Sequence, residues 1–168
     1  MAKYKALYQE VILDHNKRPR NFGTLDHASH HAEGHNPLCG DHISVALNLE
    51  GECVDCIAFQ GDSCAICKAS ASMMTAAVKG KTRADAQTLI QEFLSMATGK
   101  LDLDSPNHIG RLAVFAGVRE LPTRVKCAIL PWHTLHAAFN SVASTSTEIQ
   151  ADSMHATNGK CDAALPPN

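Results

Sequence analysis

Seven cysteines and ten histidines in a chain of 168 residues are the groups able to bind metal or exchange sulfur. Three of the cysteines stand in blocks that read as boundaries between elements: Asn36-Pro37-Leu38-Cys39-Gly40-Asp41, Gly61-Asp62-Ser63-Cys64-Ala65-Ile66 and Arg124-Val125-Lys126-Cys127-Ala128. A boundary leaves a thiol exposed. The positive end of a helix also draws a thiol toward thiolate, which favours both metal binding and nucleophilic attack. Cys64 and Cys127 are expected at such helix starts.

Three other groupings compete with this one. Cys53-Val54-Asp55-Cys56 and Cys64-Ala65-Ile66-Cys67 form paired CxxC motifs, but only seven residues separate them, against about a dozen or more in zinc ribbons. Side chains three apart on a strand also point to opposite faces, so Cys53 and Cys56 read as small strand residues. His31-Ala32-Glu33 followed by Cys64-x-x-Cys67 imitates the zinc nucleobase deaminases. Ser63 stands where their proline would be, and Gly34 and Pro37 prevent the helix that the histidine motif needs. His27, His30, His31, His35 and His42 crowd one segment; imidazoles there can bind metal, yet a solvated polar loop accounts for each of them.

The elements that must position these groups follow from periodicity. Leu7, Tyr8, Val11 and Ile12 predict a first helix over Tyr4 to His15, stopped by Arg18-Pro19-Arg20-Asn21-Phe22-Gly23. Thr24 to Asp41 shows no period and reads as a long loop. Alternation in His42 to Leu49 and Cys53 to Gln60, joined by Glu50-Gly51-Glu52, predicts an antiparallel hairpin. Ser63 is expected to cap a helix over Cys64 to Val78, and Thr82 the next, to about Ala97. Leu101 to Arg119 reads as a connector, helical around Arg111 to Ala116. A last helix is expected over Lys126 to Phe139, with Pro131 near the end of its first turn, where its missing N–H matters less. From residue 141 to 168 the composition turns to Ser, Thr, Ala, Asn and Pro, which predicts a disordered tail containing Cys161. The organisation is thus one domain over 1–140 and a tail over 141–168.

Composition narrows the function. Fifteen Lys and Arg against 17 Asp and Glu give a formal charge of −2, with no electrostatic reason to expect nucleic acid or an anionic membrane as partner. No run reaches the roughly 20 apolar residues of a membrane span. Met1 to His15 lacks the apolar core of a signal peptide, and an odd cysteine count does not suit a secreted disulfide framework. The expectation is a cytoplasmic protein with reduced thiols used for metal or sulfur chemistry.

The ordered blocks carry a resemblance. Tyr8-Gln9-Glu10-Val11-Ile12-Leu13-Asp14-His15, the Arg18–Gly23 block, the three cysteine blocks, Ala69-Ser70-Ala71-Ser72-Met73-Met74 and Val78-Lys79-Gly80-Lys81 resemble the SufU branch of the IscU/NifU N-terminal family of iron–sulfur cluster assembly proteins. Lys126, where IscU proteins have histidine, and the segment from Arg111 to Pro122, which they lack, select that branch. The resemblance implies an α+β fold with a small antiparallel sheet packed against several helices. It implies a zinc site of Cys39, Asp41, Cys64 and Cys127, with a transient iron or [2Fe–2S] cluster on the same ligands as the alternative. The implied role is to accept persulfide sulfur, with Cys39 as the acceptor, from a pyridoxal-phosphate cysteine desulfurase of the SufS type and to relay it to downstream cluster-assembly proteins. Three thiolates and a carboxylate around Zn²⁺ leave a charge of −2, which Arg124 and Lys126 beside Cys127 would partly offset. Cys67, one turn after Cys64, is expected to be a buried bystander, with a fifth sulfur or a resolving thiol as the other readings.

Overall fold

A computed structural model describes residues 2–147, with side chains from residue 8 onward; Cys161 and the rest of 148–168 lie outside the described residues. The element order is α1 (Ala2–Lys17), β1 (His30–Asn36), β2 (Asp41–Glu50), β3 (Cys53–Asp62), α2 (Ala65–Val78), α3 (Arg83–Ala97), a 3₁₀ helix (Gly110–Glu120), α4 (Pro122–Phe139) and β4 (Ser144–Ser146). The four strands form one sheet in the order β3-β2-β1-β4. β2 runs antiparallel to both β1 and β3, and β4 runs parallel to β1. This is the expected α+β class.

Alternation in β2 builds the inner face. Ile43, Val45 and Leu47 are fully buried, while the residues between them are half exposed. Each such side chain contributes about 1.5–3 kcal/mol when removed from water. The helices cover this face. Phe93 of α3 stacks on Trp132 of α4 at 4.3 Å between ring centroids and meets Phe115 of the 3₁₀ helix edge-on at 5.7 Å. The polar end of Trp132 is satisfied: its Nε1 donates to Ser70 Oγ on α2 (3.1 Å), and Ser70 in turn donates to the Ala128 carbonyl (2.6 Å). α2 and α4 are therefore locked in register.

The Arg-Pro-Arg-Asn-Phe-Gly block ties α1 to the rest. Asn21 accepts from Phe59 N–H (3.0 Å) and Gly23 donates to the Phe59 carbonyl (2.8 Å), so this block lies along the outer edge of β3. Its Arg20 N–H donates to Ser72 Oγ of α2 (2.8 Å). An otherwise open sheet edge is thereby covered.

Four expectations are corrected. The segment Thr24 to Asp41 is not all loop, because β1 lies within it. Its inward residues are Ala32, Gly34 and Asn36, too small or too polar to give an apolar alternation. α4 begins at Pro122 rather than Lys126, with proline at its N-terminal position, where the fixed φ suits a helix start. Pro131 consequently lies inside the helix, where it leaves the Cys127 carbonyl without its partner one turn on; its burial among core residues holds it there. Cys64, not Ser63, caps α2. Finally, β4 joins the sheet beyond Asn140, within the stretch expected as tail.

Gly34 permits the close contact of α4 with β1. A Cβ placed there would lie 2.0 Å from Thr134 Oγ1 and 3.1 Å from Leu130 Cδ1, and Thr134 is itself buried and bonded to the Leu130 carbonyl (2.8 Å). Gly34→Ala is expected to destabilise the fold by about 1–3 kcal/mol through overpacking. Urea titration of the two proteins checks this, and an unchanged midpoint would show that α4 can shift away at no cost.

Candidate metal centre

The β1–β2 hairpin delivers the first two residues of the site. Its loop spans Pro37 to Gly40 and closes with the Gly40 N–H donating to the Asn36 carbonyl (2.8 Å). Gly40 has φ +71°, a conformation that favours glycine. Cys39 projects from this loop and is exposed, whereas Asp41 begins β2 on its inner face and is 3% exposed. Cys64 arrives from the end of β3, and Cys127 from the second turn of α4, fully buried.

These four side chains meet. Cys127 Sγ lies 3.3 Å from Cys39 Sγ, and Cys64 Sγ lies 3.7 Å from Asp41 Oδ2. One donor atom each from Cys39, Asp41 and Cys127 lies within 4.8 Å of the others; Cys64 joins through Asp41 and through a hydrogen bond with Cys127. Donors about 2.0–2.3 Å from a tetrahedral ion stand about 3.3–3.8 Å apart. Cys39, Asp41 and Cys127 already stand close to that spacing, Cys64 lies next to two of them, and three soft sulfurs with one carboxylate suit zinc in chemistry.

Asp41 has two functions that its two oxygens divide. Oδ1 accepts from the Cys64 N–H (2.8 Å) and so anchors the start of α2, which leaves Oδ2 turned toward the thiols. Cys64 Sγ in turn accepts from the Cys67 N–H (3.4 Å). Hydrogen bonding from Cys127, and then the backbone N–H of Cys67, hold the Cys64 thiol at about 6, far below its ordinary 9.0, although burial opposes them. Cys127 is pushed up, first because it donates to Cys64 and then by burial, so in the metal-free protein the shared proton stays on Cys127. The expectation that Cys127 lies at a helix start is therefore corrected: the buried second turn of α4 disfavours its thiolate, and only Cys64 has the helix N–H groups.

The metal-free, reduced protein is expected to alkylate at Cys64 with a rate that rises through about pH 6, because only the thiolate reacts. Cys127 should stay unmodified over that range. Peptide mass mapping after brief iodoacetamide treatment at several pH values measures both; a Cys64 midpoint near its ordinary 9.0 would remove the hydrogen-bonded thiolate from the account.

Of the two basic residues expected beside the site, Arg124 is exposed and hydrogen-bonds Cys127, which raises its pKa, followed by the charges of Cys127 and Cys64. Lys126 is half-buried on α4. Asn36 was not singled out from sequence. Fully buried, it donates from Nδ2 to Cys127 Sγ (3.6 Å) and accepts at Oδ1 from Leu38 N–H (3.3 Å); no pattern in the sequence marked it. Tyr8 of α1 also approaches: its hydroxyl is buried without a partner among the described residues, and burial raises its pKa.

The remaining candidates do not join these four side chains. Cys67 is fully buried, and burial pushes its thiol well up, as expected of a bystander. Cys53 and Cys56 lie at the other end of β3 from the site, Cys53 opposite Glu50 and Cys56 opposite Asn48. His31 and Glu33 stand on the outer face of β1, with His31 Nε2 bonded to Ser44 Oγ (2.9 Å), so the deaminase-like arrangement does not form.

Residues 7–148 match the family described as NifU-like N-terminal domain. The chain belongs to that family. Among relatives of this NifU-like domain, the zinc-dependent sulfurtransferase SufU of Bacillus subtilis is 41% identical over 134 residues, covering 80% of this chain and 90% of the relative. The iron–sulfur cluster assembly scaffold protein IscU of Streptococcus pyogenes is 37% identical over 144 residues, covering 86% and 89%. A Fervidobacterium islandicum protein, described as a candidate iron–sulfur cluster assembly scaffold for the SUF system, superposes with a TM-score of 0.73 at 33% identity, covering 77% of this chain and 93% of that one. Among the described residues of this NifU-like chain, no helix is long and apolar enough to cross a membrane.

Proposed function

We propose that the protein is a zinc-dependent sulfur acceptor in iron–sulfur cluster assembly, with Cys39 as the acceptor and Cys39, Asp41, Cys64 and Cys127 as zinc ligands. The observation that carries this reading is the asymmetry of exposure: Cys39 is open to solvent while its sulfur is 3.3 Å from the buried Cys127. A purely structural site would have no use for an open thiol at its rim. Bound zinc keeps its cysteine ligands deprotonated at neutral pH.

The chain's own residues supply the rest. Cys39 thiolate attacks the outer sulfur of a persulfide carried by the donor's cysteine; the S–S bond breaks, the donor leaves as thiolate, and a new persulfide forms on Cys39. Arg124, beside Cys127, offsets the negative charge of the thiolates, and we assign the same part to Lys126. Exposed Leu38, next to Cys39 and 64% exposed, gives a docking protein an apolar contact. The donor is assigned as a pyridoxal-phosphate cysteine desulfurase of the SufS type, and the recipients as cluster-assembly proteins downstream. The free thiols of this site suit the cytoplasm. We assign the SufU-like domain to residues 1–147, because β4 completes its sheet, with the remainder as a C-terminal extension.

The alternative function, holding a transient [2Fe–2S] cluster on these ligands, is weaker because Lys126 stands beside Cys127. An ammonium has no lone pair with which to replace an imidazole ligand. Anaerobic purification followed by metal and sulfide analysis separates the two. Zinc with no visible absorption is expected; iron and sulfide with charge-transfer bands would make the chain a scaffold.

A further inference from the structure

The hairpin that carries Cys39 has a second group of ligand-type side chains on its other face. In the β1–β2 register Asn36 pairs with Asp41 and, one step on, His35 pairs with His42. Successive side chains alternate across a sheet, so Asn36 and Asp41 turn inward to the thiols while His35 and His42 turn outward. The two imidazoles stack at 4.6 Å between centroids with 12° between planes. Glu33, two residues before His35 and on the same face, brings Oε2 to 3.8 Å from His42 Nε2. One donor atom from each of the three lies within 4.8 Å of the others.

His42 Nε2 is shielded from solvent and has no hydrogen-bond partner among the described residues. A nitrogen shielded in this way normally finds a partner. Here it faces a carboxylate at 3.8 Å and a stacked imidazole, a donor arrangement suited to a cation. His31 on the same face is already committed to Ser44.

We propose that Glu33, His35 and His42 form a second metal site, for an exchangeable divalent transition-metal ion of the zinc, cobalt or nickel type, on the sheet face opposite the thiols. Two imidazoles and one carboxylate suit this class and not magnesium or calcium, which prefer oxygen alone. Three protein donors leave at least one position to water, so the ion is held in an open, exchangeable site. Donors about 2.1 Å from an ion can be at most about 4.2 Å apart, and an imidazole lone pair lies in its ring plane, so the two stacked rings rotate about their side-chain torsions to aim both nitrogens at one ion. The two sites share strands but no ligand.

Zinc titration of the full-length reduced protein tests the proposal, with bound metal measured by equilibrium dialysis and the imidazole nitrogens followed by NMR. Wild type is expected to bind one equivalent more zinc than the His35→Ala/His42→Ala protein, and its His35 and His42 ring nitrogens should shift as that equivalent binds. Cys39→Ala should leave this outer equivalent in place, which separates it from the thiol site. Equal stoichiometry in wild type and the double variant, or zinc binding that leaves both rings unshifted, overturns the proposal. The NMR measurement needs no variant, so misfolding of the double variant would not shelter the claim.

Discussion

Cys39→Ala is expected to accept persulfide sulfur at no more than background, a fall on the order of 10²-fold or more in single-turnover rate, because it removes the nucleophile itself. Its fold should survive, since Cys39 is exposed and sits in a hairpin loop rather than in the core. The rival acceptor is Cys64, which has the lowered thiol pKa of about 6. Two considerations favour Cys39. Cys64 is half-buried, and its sulfur is already occupied by the Cys67 N–H; nucleophilicity also falls as thiol pKa falls, so acidity alone does not identify the attacking sulfur. Undiminished labelling of Cys39→Ala by donor-derived sulfur would move the acceptor role to Cys64.

The second large effect is expected at Asp41. Asp41→Ala removes both the Oδ2 donor and the Oδ1 anchor of the Cys64 N–H, and should raise the zinc off-rate at least about tenfold. Loss of the anchor should also cost about 1 kcal/mol of stability, as for a helix cap. Asp41→Asn separates the two functions: its amide oxygen can still accept from Cys64, while its neutral side chain is a poor zinc ligand. The expected pattern is fast zinc loss in both variants, with the stability loss confined to Asp41→Ala. Release of zinc to a chromogenic chelator, with thermal melting of each protein, reads both. Wild-type off-rates in both variants would remove Asp41 from the ligand set.

The site was legible in the sequence to the extent that chemistry resides in short contiguous blocks. Cys39 with Asp41, Cys64 and Cys127 each lie in such a block, and the structure brings all four side chains together. The hairpin of β2 and β3 was legible because Ile43, Val45 and Leu47 alternate with polar residues. β1 was not, since the face it buries is made of Ala32, Gly34 and Asn36, and a strand packed under a close helix needs small residues there rather than large ones. The start of α4 was misplaced because the helix opens on Leu121-Pro122-Thr123, without a side-chain cap; a proline at the first position was the available signal. That shift matters chemically. It moves Cys127 from a helix end into a buried second turn and so, within the Cys64–Cys127 pair of the metal-free protein, leaves the proton on Cys127 and the thiolate on Cys64.

Asn36 and Tyr8 were beyond sequence reasoning for a different reason. Their approach to the thiols depends on the packing of α1 and α4 against the hairpin, and no local pattern records that. The stacked His35 and His42 belong to the same class: each looked like a loop histidine until the β1–β2 register placed them side by side.

The most direct test of the account is the location of transferred sulfur. The zinc-loaded protein is mixed with a cysteine desulfurase and cysteine for a single turnover, trapped by alkylation, and its peptides are weighed. The account predicts one added sulfur atom on the peptide that contains Cys39 and none on those containing Cys64 or Cys127. Added sulfur on another cysteine, or none on the protein while the desulfurase turns over, would contradict it.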